Sequence, residues 1–368
     1  MLAGLRVVAT ARSTATVRDV PDPAVHDSLV RQAVSCDHIG SPLYGALFRD
    51  LAADHAAGGI TAELLDGLSE LPVHDALPLR YAGAVHALAL TGRGPELAAQ
   101  YPSCGGTWSG NSVAPQFLAV VRRHVDVVRT RLQHQVQTNE VGRAVVLHAG
   151  MCWLAARWDL PVRTLEIGAS GGLLSHWPSY HYDTGSWQGG DPDSPLRFGP
   201  EWYTTPPPPM PAPQVHDRRA SDVAPIDPTT EAGRITMQSF VWPDQPARLE
   251  RLRTAMAIAA ARPVVPDRAD AADWATIHLR GGATDTTHGT VLFHSIVWQY
   301  LGTATRTRLR EALWRAGNDA TADRPVAWLR MEPATTEHAD LRVTVWPGTV
   351  EVHLADVGYH GADIRWLA

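Results

Sequence analysis

The sequence contains no lysine: all 32 basic residues are arginine. Chemistry that requires an ε-amino group is therefore excluded, including a Schiff-base lysine, a phosphate-loop lysine and a kinase-type lysine. Cysteine is sparse. Cys36, Cys104 and Cys152 lie far apart and form no Cys-x-x-Cys pair. This spacing argues against a disulfide framework or a thiolate zinc centre, and it fits a reducing, cytoplasmic setting. No apolar run is long enough to span a membrane; the best, residues 144–156, is interrupted by His148. The formal net charge is -6 and no basic block stands out. Neither a nucleic acid nor an anionic membrane is an expected partner. The first twenty residues lack a secretory apolar core, so residues 1–24 are read as a flexible leader.

What is present is globular: 45% hydrophobic and 19% charged residues over 368 positions, long enough for two or three domains. Residues 25–158 read as an all-helical domain. Leu43, Leu47 and Leu51 recur at helical spacing, as do Tyr81, Val85 and Leu88, and Ser41-Pro42 has the form of an N-cap followed by proline. Gly59 and residues 101–110 break the pattern, and residues 117–132 and 141–157 read as two longer helices. The texture changes after Pro161. Strand signals at 162–167, 214–223, 264–265, 291–297 and 326–331 are separated by helical or irregular stretches, notably the amphipathic helix at 246–262. Residues 341–345 and 350–354 flank Trp346-Pro347-Gly348-Thr349 as a hairpin. Residues 159–368 are thus expected to form an α/β domain with a mostly parallel sheet and a C-terminal antiparallel hairpin. Residues 178–213, rich in Pro and Gly, read as an extended insertion.

The strongest local feature is Glu166-Ile167-Gly168-Ala169-Ser170-Gly171-Gly172 at the end of the first strand. Small residues after a strand allow a tight turn and close approach of backbone amides to a ligand. A dinucleotide fingerprint fits poorly, because Ser170 and Leu173 stand where glycines are needed. The acidic-x-Gly-x-small-x-Gly pattern resembles the first motif of class I S-adenosylmethionine-dependent methyltransferases. That resemblance implies a Rossmann-like sheet whose seventh strand is antiparallel, with S-adenosylmethionine held by Glu166, Gly168, Ser170 and Gly172. It also implies a ribose-binding acid after the second strand, with Asp222 preferred and Asp183 as rival, and Asp267 near the adenine. The fourth strand delivers His294 as a candidate general base, with Tyr300 as a second catalytic candidate and Ser295 and Trp298 in the cleft. The methyl acceptor would be an unidentified small molecule. The same letters also read Gly-x-Ser-x-Gly. A serine hydrolase with Ser170 as nucleophile and His294 or His360 as its histidine therefore stays open. So does a non-catalytic binding or regulatory module on the same fold.

Further strings resemble a bacterial family of uncharacterised proteins, domain-of-unknown-function family 2332, from about residue 30 to the C-terminus. They are Ser41-Pro42-Leu43-Tyr44, Tyr101-Pro102-Ser103, Gln137-Thr138-Asn139-Glu140-Val141-Gly142-Arg143, Gly190-Asp191-Pro192-Asp193-Ser194-Pro195, Val241-Trp242-Pro243 and Phe293-His294-Ser295. The resemblance implies that these polar strings matter together. Asn139, Glu140 and Arg143 are expected on the helix leading to the first strand, over the cofactor cleft or in a buried polar network. Asp191, Asp193 and Arg197 are expected to contact substrate or to form a turn. No metal is expected: two loop aspartates are weak ligands alone, and His176 and His181 read as surface residues around Pro178.

Overall fold

The structure is a computed structural model that describes residues 20–280 and 287–368. Part of the leader, residues 1–19, lies outside the described residues. The chain begins with eight helices and no strand among its described residues: α1 (Pro23–His38), α2 (Pro42–Ala56), α3 (Ile60–Leu65), α4 (Leu77–Leu90), α5 (Pro95–Ala98), α6 (Ala114–Arg123), α7 (Val125–Arg131) and α8 (Ala144–Trp158). Then come β1 (Val162–Ile167), β2 (His181–Asp183), β3 (Gln188–Gly190), β4 (Arg197–Phe198), β5 (Tyr203–Thr205) and β6 (Val215–Asp222). The rest is α9 (Glu231–Ser239), α10 (Pro246–Ala261), β7 (Asp267–Arg268), α11 (Ala271–Leu279), β8 (Gly289–Ser295), α12 (Thr303–Asn318), β9 (Val326–Pro333), β10 (Ala339–Trp346), β11 (Val350–Val357) and β12 (Ile364–Trp366).

Local chemistry sets the helix starts. Pro23 and Pro42 occupy first helical turns, where a missing N–H costs nothing, and Asp22 and Ser41 cap the first-turn amides of Ala24 and Tyr44. Ser41 also donates to Asp244 Oδ1 at 2.6 Å, and Leu43 N to Asp244 Oδ2 at 3.0 Å, tying α2 to a residue two hundred positions away. The helix expected over 117–132 is broken. His124 has non-helical dihedrals, and its Nε2 meets the Arg93 carbonyl at 2.9 Å. Helix α8 is buried along most of its length, as a predominantly apolar sequence requires.

A nine-stranded sheet runs β5-β12-β11-β10-β9-β8-β1-β6-β7, and a three-stranded sheet runs β3-β2-β4. The strands β7, β6, β1, β8 and β9 are mutually parallel. The fold is therefore mixed α/β with a large, parallel-rich sheet. Both faces are covered: Val162, Val291 and Leu329 pack in one cluster with α8 and α10, whereas Leu165, Leu292 and Val326 pack in another with α11 and α12. A third cluster joins α1, α2, α4, α6 and α7 and takes in Trp242.

Four expectations are corrected. The strand at 264–265 does not form; Val265 is exposed, and the short β7 begins at Asp267. Prolines 263 and 266 flank that pair and remove ladder donors. The insertion is not merely extended, since it carries β2–β4 as a small sheet and β5 as an edge strand of the large one. The hairpin is present, with Val345 opposite Val350, but its first strand, β10, is the antiparallel neighbour of the fifth parallel strand β9. The resemblance assigned that direction to the last strand, and here a further strand, β12, follows. Finally, residues 137–140 are not helical; only a single 3-10 turn at Val141–Arg143 precedes α8.

Candidate functional site

The order β7-β6-β1-β8-β9 means that the chain leaves β1 towards β6 on one side and reaches β8 on the other. In open parallel sheets such a reversal leaves a crevice at the carboxyl ends of the two central strands. The loop after β1 lies there. Gly168 has φ +66°, Ser170 +53° and Gly172 +74°. Glycine is needed at 168 for more than its φ, because a Cβ would stand 2.0 Å from Val297 Cγ2. At 172 a Cβ would meet the Val264 carbonyl at 2.8 Å. The loop leads not into an α-helix but into the 3-10 stretch Leu174–Ser179, which contains Pro178.

Ser170 is buried, with a left-handed backbone that costs a non-glycine residue about 1 kcal/mol. Its N–H donates to Asp222 Oδ2 at 2.8 Å, while its Oγ has no hydrogen-bond partner among the described residues. Asp222 does lie at the end of β6, but its other oxygen accepts from Ala224 N at 2.8 Å. The carboxylate thus ties two backbone turns together. Glu166 faces the interior from β1 and accepts from Ser175 Oγ at 2.5 Å. Burial lifts its carboxyl from the usual range to about 8; the Ser175 bond lowers it and the nearby Asp222 raises it further. Burial thus favours the protonated carboxyl of Glu166 near neutral pH.

The Gln137–Arg143 string crosses these strand ends as a strap. Asn139 Nδ2 donates to Ala169 O at 2.7 Å, and its Oδ1 accepts from Leu173 N at 3.1 Å, so one side chain clamps both arms of the glycine loop. Arg143 donates to Tyr359 O at 3.0 Å and to Ser295 O at 3.5 Å. Glu140 accepts from Gly142 N and forms a buried ion pair with Arg248, Nη2 to Oε2 at 2.5 Å. Burial alone would raise the Glu140 carboxyl. Arg248 foremost, with His360, Arg143 and Arg251, instead holds it down at about 2.

At the end of β8, His294 is buried with both ring nitrogens engaged. Nδ1 lies 2.6 Å from Glu332 Oε1, and Trp328 Nε1 donates to Nε2 at 2.9 Å. The tryptophan N–H can only donate, so it fixes His294 with its proton on Nδ1 and leaves no lone pair for a general base. Trp298 stacks on the same ring at 5.8 Å. Tyr300 points outward, 44% exposed, with its ring 6.3 Å from that of His74. Between Ser295 and Val297, Ile296 has φ +51°, a strained conformation for a β-branched residue. Glu332 holds this turn by accepting from Val297 N at 3.0 Å and Trp298 N at 3.2 Å.

Asp267 adjoins this place through β7, where it pairs with Ser221 beside Asp222. Asp267 is exposed and accepts from Trp274 Nε1 at 2.8 Å. Asp183 accepts from Gly185 N and Gln188 Nε2 within the small sheet. Asp191 accepts from Asp193 N, and Arg197 donates to Pro192 O, so these side chains brace a local turn, which Asp191 N ties to Tyr180 O. His176 and His181 are corrected from surface to interior. The 3-10 turn directs His176 inward at 0% exposure, and β2 buries His181. Burial, with Arg218 nearby, lowers His176 to about 4. The sequence reading missed Glu332, Trp328 and Arg248. Glu332 closes a strand as Asp222 does, and that signal could have found it; Arg248 carried none. A cavity of about 620 Å³ lies at the opposite, amino ends of β8 and β9, lined by Arg280, His288, Thr290 and Arg324.

This geometry defines a mixed α/β protein with a strapped, internally bonded crevice at the carboxyl end of its parallel strands. The chain belongs to the family described as uncharacterized protein conserved in bacteria (DUF2332), which it matches over residues 26–366. No curated protein and no solved structure matches it. No helix among the described residues is long and apolar enough to cross a membrane.

Proposed function

We propose that the protein is a ligand-binding module on a methyltransferase-like sheet, with S-adenosylmethionine as the first candidate ligand at the carboxyl ends of β1, β6 and β8. The observation that carries the reading is the β7-β6-β1-β8-β9 order with a left-handed Gly168–Gly172 loop at its reversal. The unpaired Ser170 hydroxyl beside Asp222 is a polar group that a ligand could engage. The fit to an adenosyl group is incomplete: Val297, Val264 and Pro266 fill the space at Gly168 and Gly172, and both Asp222 oxygens accept backbone amides. Binding therefore requires the 295–298 turn to yield. Catalysis is the weaker reading, because His294 has no free lone pair and the Ser170 Oγ has no imidazole partner.

Calorimetric titration of the purified chain with S-adenosylmethionine and with S-adenosylhomocysteine tests this. Saturable binding is expected, weakened more than about tenfold by Asp222→Ala, because a ribose diol would lose charge-assisted bonds. Absence of heat with both ligands rejects the adenosyl reading. Binding that Asp222→Ala leaves unchanged rejects the assignment of the ribose to that residue.

A further inference from the structure

Residues 338–356 bring together four side chains that the adenosyl reading does not use. Asp340 on β10 stands directly opposite Asp356 on β11. Like charges in direct cross-strand register are destabilising, so something must offset them. Two histidines converge on the pair. His338 Nε2 lies 3.6 Å from Asp340 Oδ1 and 3.9 Å from Asp356 Oδ1, and His353 Nε2 lies 3.4 Å and 3.0 Å from the same two oxygens. His353 and Asp356 are three apart, and a regular strand would turn them to opposite faces. The register shift between Leu341 and Arg342 pairs Leu341 with Ala355 but Arg342 with His353, which returns His353 to the face of Asp356.

We propose that His338, Asp340, His353 and Asp356 bind one divalent transition-metal ion, zinc being the best match. Ligands about 2.0–2.2 Å from a tetrahedral zinc stand about 3.3–3.6 Å from one another; the four histidine–aspartate separations, 3.0–3.9 Å, straddle that range, and the ligand atoms of His338, Asp340 and Asp356 all lie within 4.8 Å of one another, so His353 is the ligand that must move most. The donor set of two imidazoles and two carboxylates suits zinc and its neighbours rather than calcium or magnesium. The outer oxygens are already held. Arg342 donates to Asp340 Oδ2 through Nε at 2.9 Å, and Arg365 donates to Asp356 Oδ2 through Nε at 3.1 Å. Both Oδ1 atoms are thereby left for the shared point, an arrangement in which supporting bonds orient the ligands. His338 Nδ1 lies 3.0 Å from Thr335 Oγ1, which suits a lone pair on Nε2. His353 Nε2 now meets Ala355 O at 3.2 Å; metal binding would release the proton on that nitrogen to solvent. The side chains are 14–35% exposed, so an ion can reach them. The cluster shares a cross-strand row with Glu332, which pairs with Asp340, and so borders the crevice without being part of it.

The test uses the full chain stripped by a chelator and titrated with zinc chloride, with cobalt(II) as a visible probe. One ion per chain and the absorption of tetrahedral cobalt are expected, with a rise in melting temperature on zinc addition. Asp340→Asn, which also removes the like-charge pair, should fold and bind zinc at least tenfold more weakly. His338→Ala with His353→Ala should abolish the cobalt band and the thermal shift. Arg342→Gln, which touches no ion, should weaken binding about tenfold through Asp340. Absence of uptake, or uptake with unchanged affinity in the double histidine variant when its circular dichroism is native, overturns the proposal.

Discussion

Glu166→Gln isolates the cost of holding an acid neutral inside β1. Glu166 is 2% exposed and burial keeps its carboxyl near 8, whereas in the unfolded chain it ionises near 4.5. Below pH 4.5 both states carry the proton, and the group has no effect on stability beyond its contacts. Above it, the unfolded state sheds a proton that the folded state retains, so stability falls as pH rises and the decline ends once the folded carboxyl titrates near 8. At about 1.4 kcal/mol per pH unit, the decline from about pH 5 to about pH 8 amounts to about 4 kcal/mol. Glutamine keeps the shape, can still accept from Ser175 Oγ, and has nothing to titrate. Urea unfolding of both proteins across this range measures the difference. The variant should be the more stable at pH 8 by about 2–4 kcal/mol, and its stability should depend less on pH. Parallel pH profiles, or a variant that is weaker by the same amount throughout, would refute the reasoning and mean that Glu166 is ionised in the fold.

Asn139→Ala leaves the Ala169 carbonyl and the Leu173 amide unpaired, which at about 1–3 kcal/mol each should lower stability by about 2–6 kcal/mol in urea melts; a loss below about 0.5 kcal/mol would show that the clamp is replaceable. Glu140→Gln leaves Arg248 buried without its carboxylate and should cost about 3–5 kcal/mol. Because Glu140 is held down at about 2, the wild-type pair should contribute fully above pH 4.5 and lose its contribution as pH falls towards 2, followed by circular dichroism. Ser170→Gly should raise the melting temperature by relieving about 1 kcal/mol of left-handed strain. A serine-directed phosphonate should leave Ser170 unlabelled in the wild type; stoichiometric labelling there would make the hydrolase the working hypothesis.

Helix starts and parallel strands were legible because they rest on neighbours in sequence. Ser41-Pro42 caps a helix wherever it sits, and an apolar run such as 291–293 must be buried on two faces. The Trp346–Thr349 turn likewise announced its hairpin, since a turn between two β-branched runs needs no distant partner. Asp222 and His294 were placed correctly at strand ends for the same reason.

What those side chains do was decided by partners far along the chain. Asp222 is legible as a strand-end acid, but its bonds to the amides of Ser170 and Ala224, 52 and 2 residues away, are not. His294 reads as a base until Trp328 and Glu332, 34 and 38 residues on, occupy both its nitrogens. The string Gln137–Arg143 has helical spacing, yet Asn139 and Arg143 find carbonyls at the ends of β1 and β8, and those tertiary bonds outweigh the weak local preference for helix. The four residues of the proposed metal centre carry no motif at all. Their convergence depends on the pairing of β10 with β11 and on one register shift, and register is a property of two strands together. Sequence alone determined the residue types and those local elements that rest on neighbours; lone pairs, burial and ligand geometry belong to contacts that exist only once the sheet has closed.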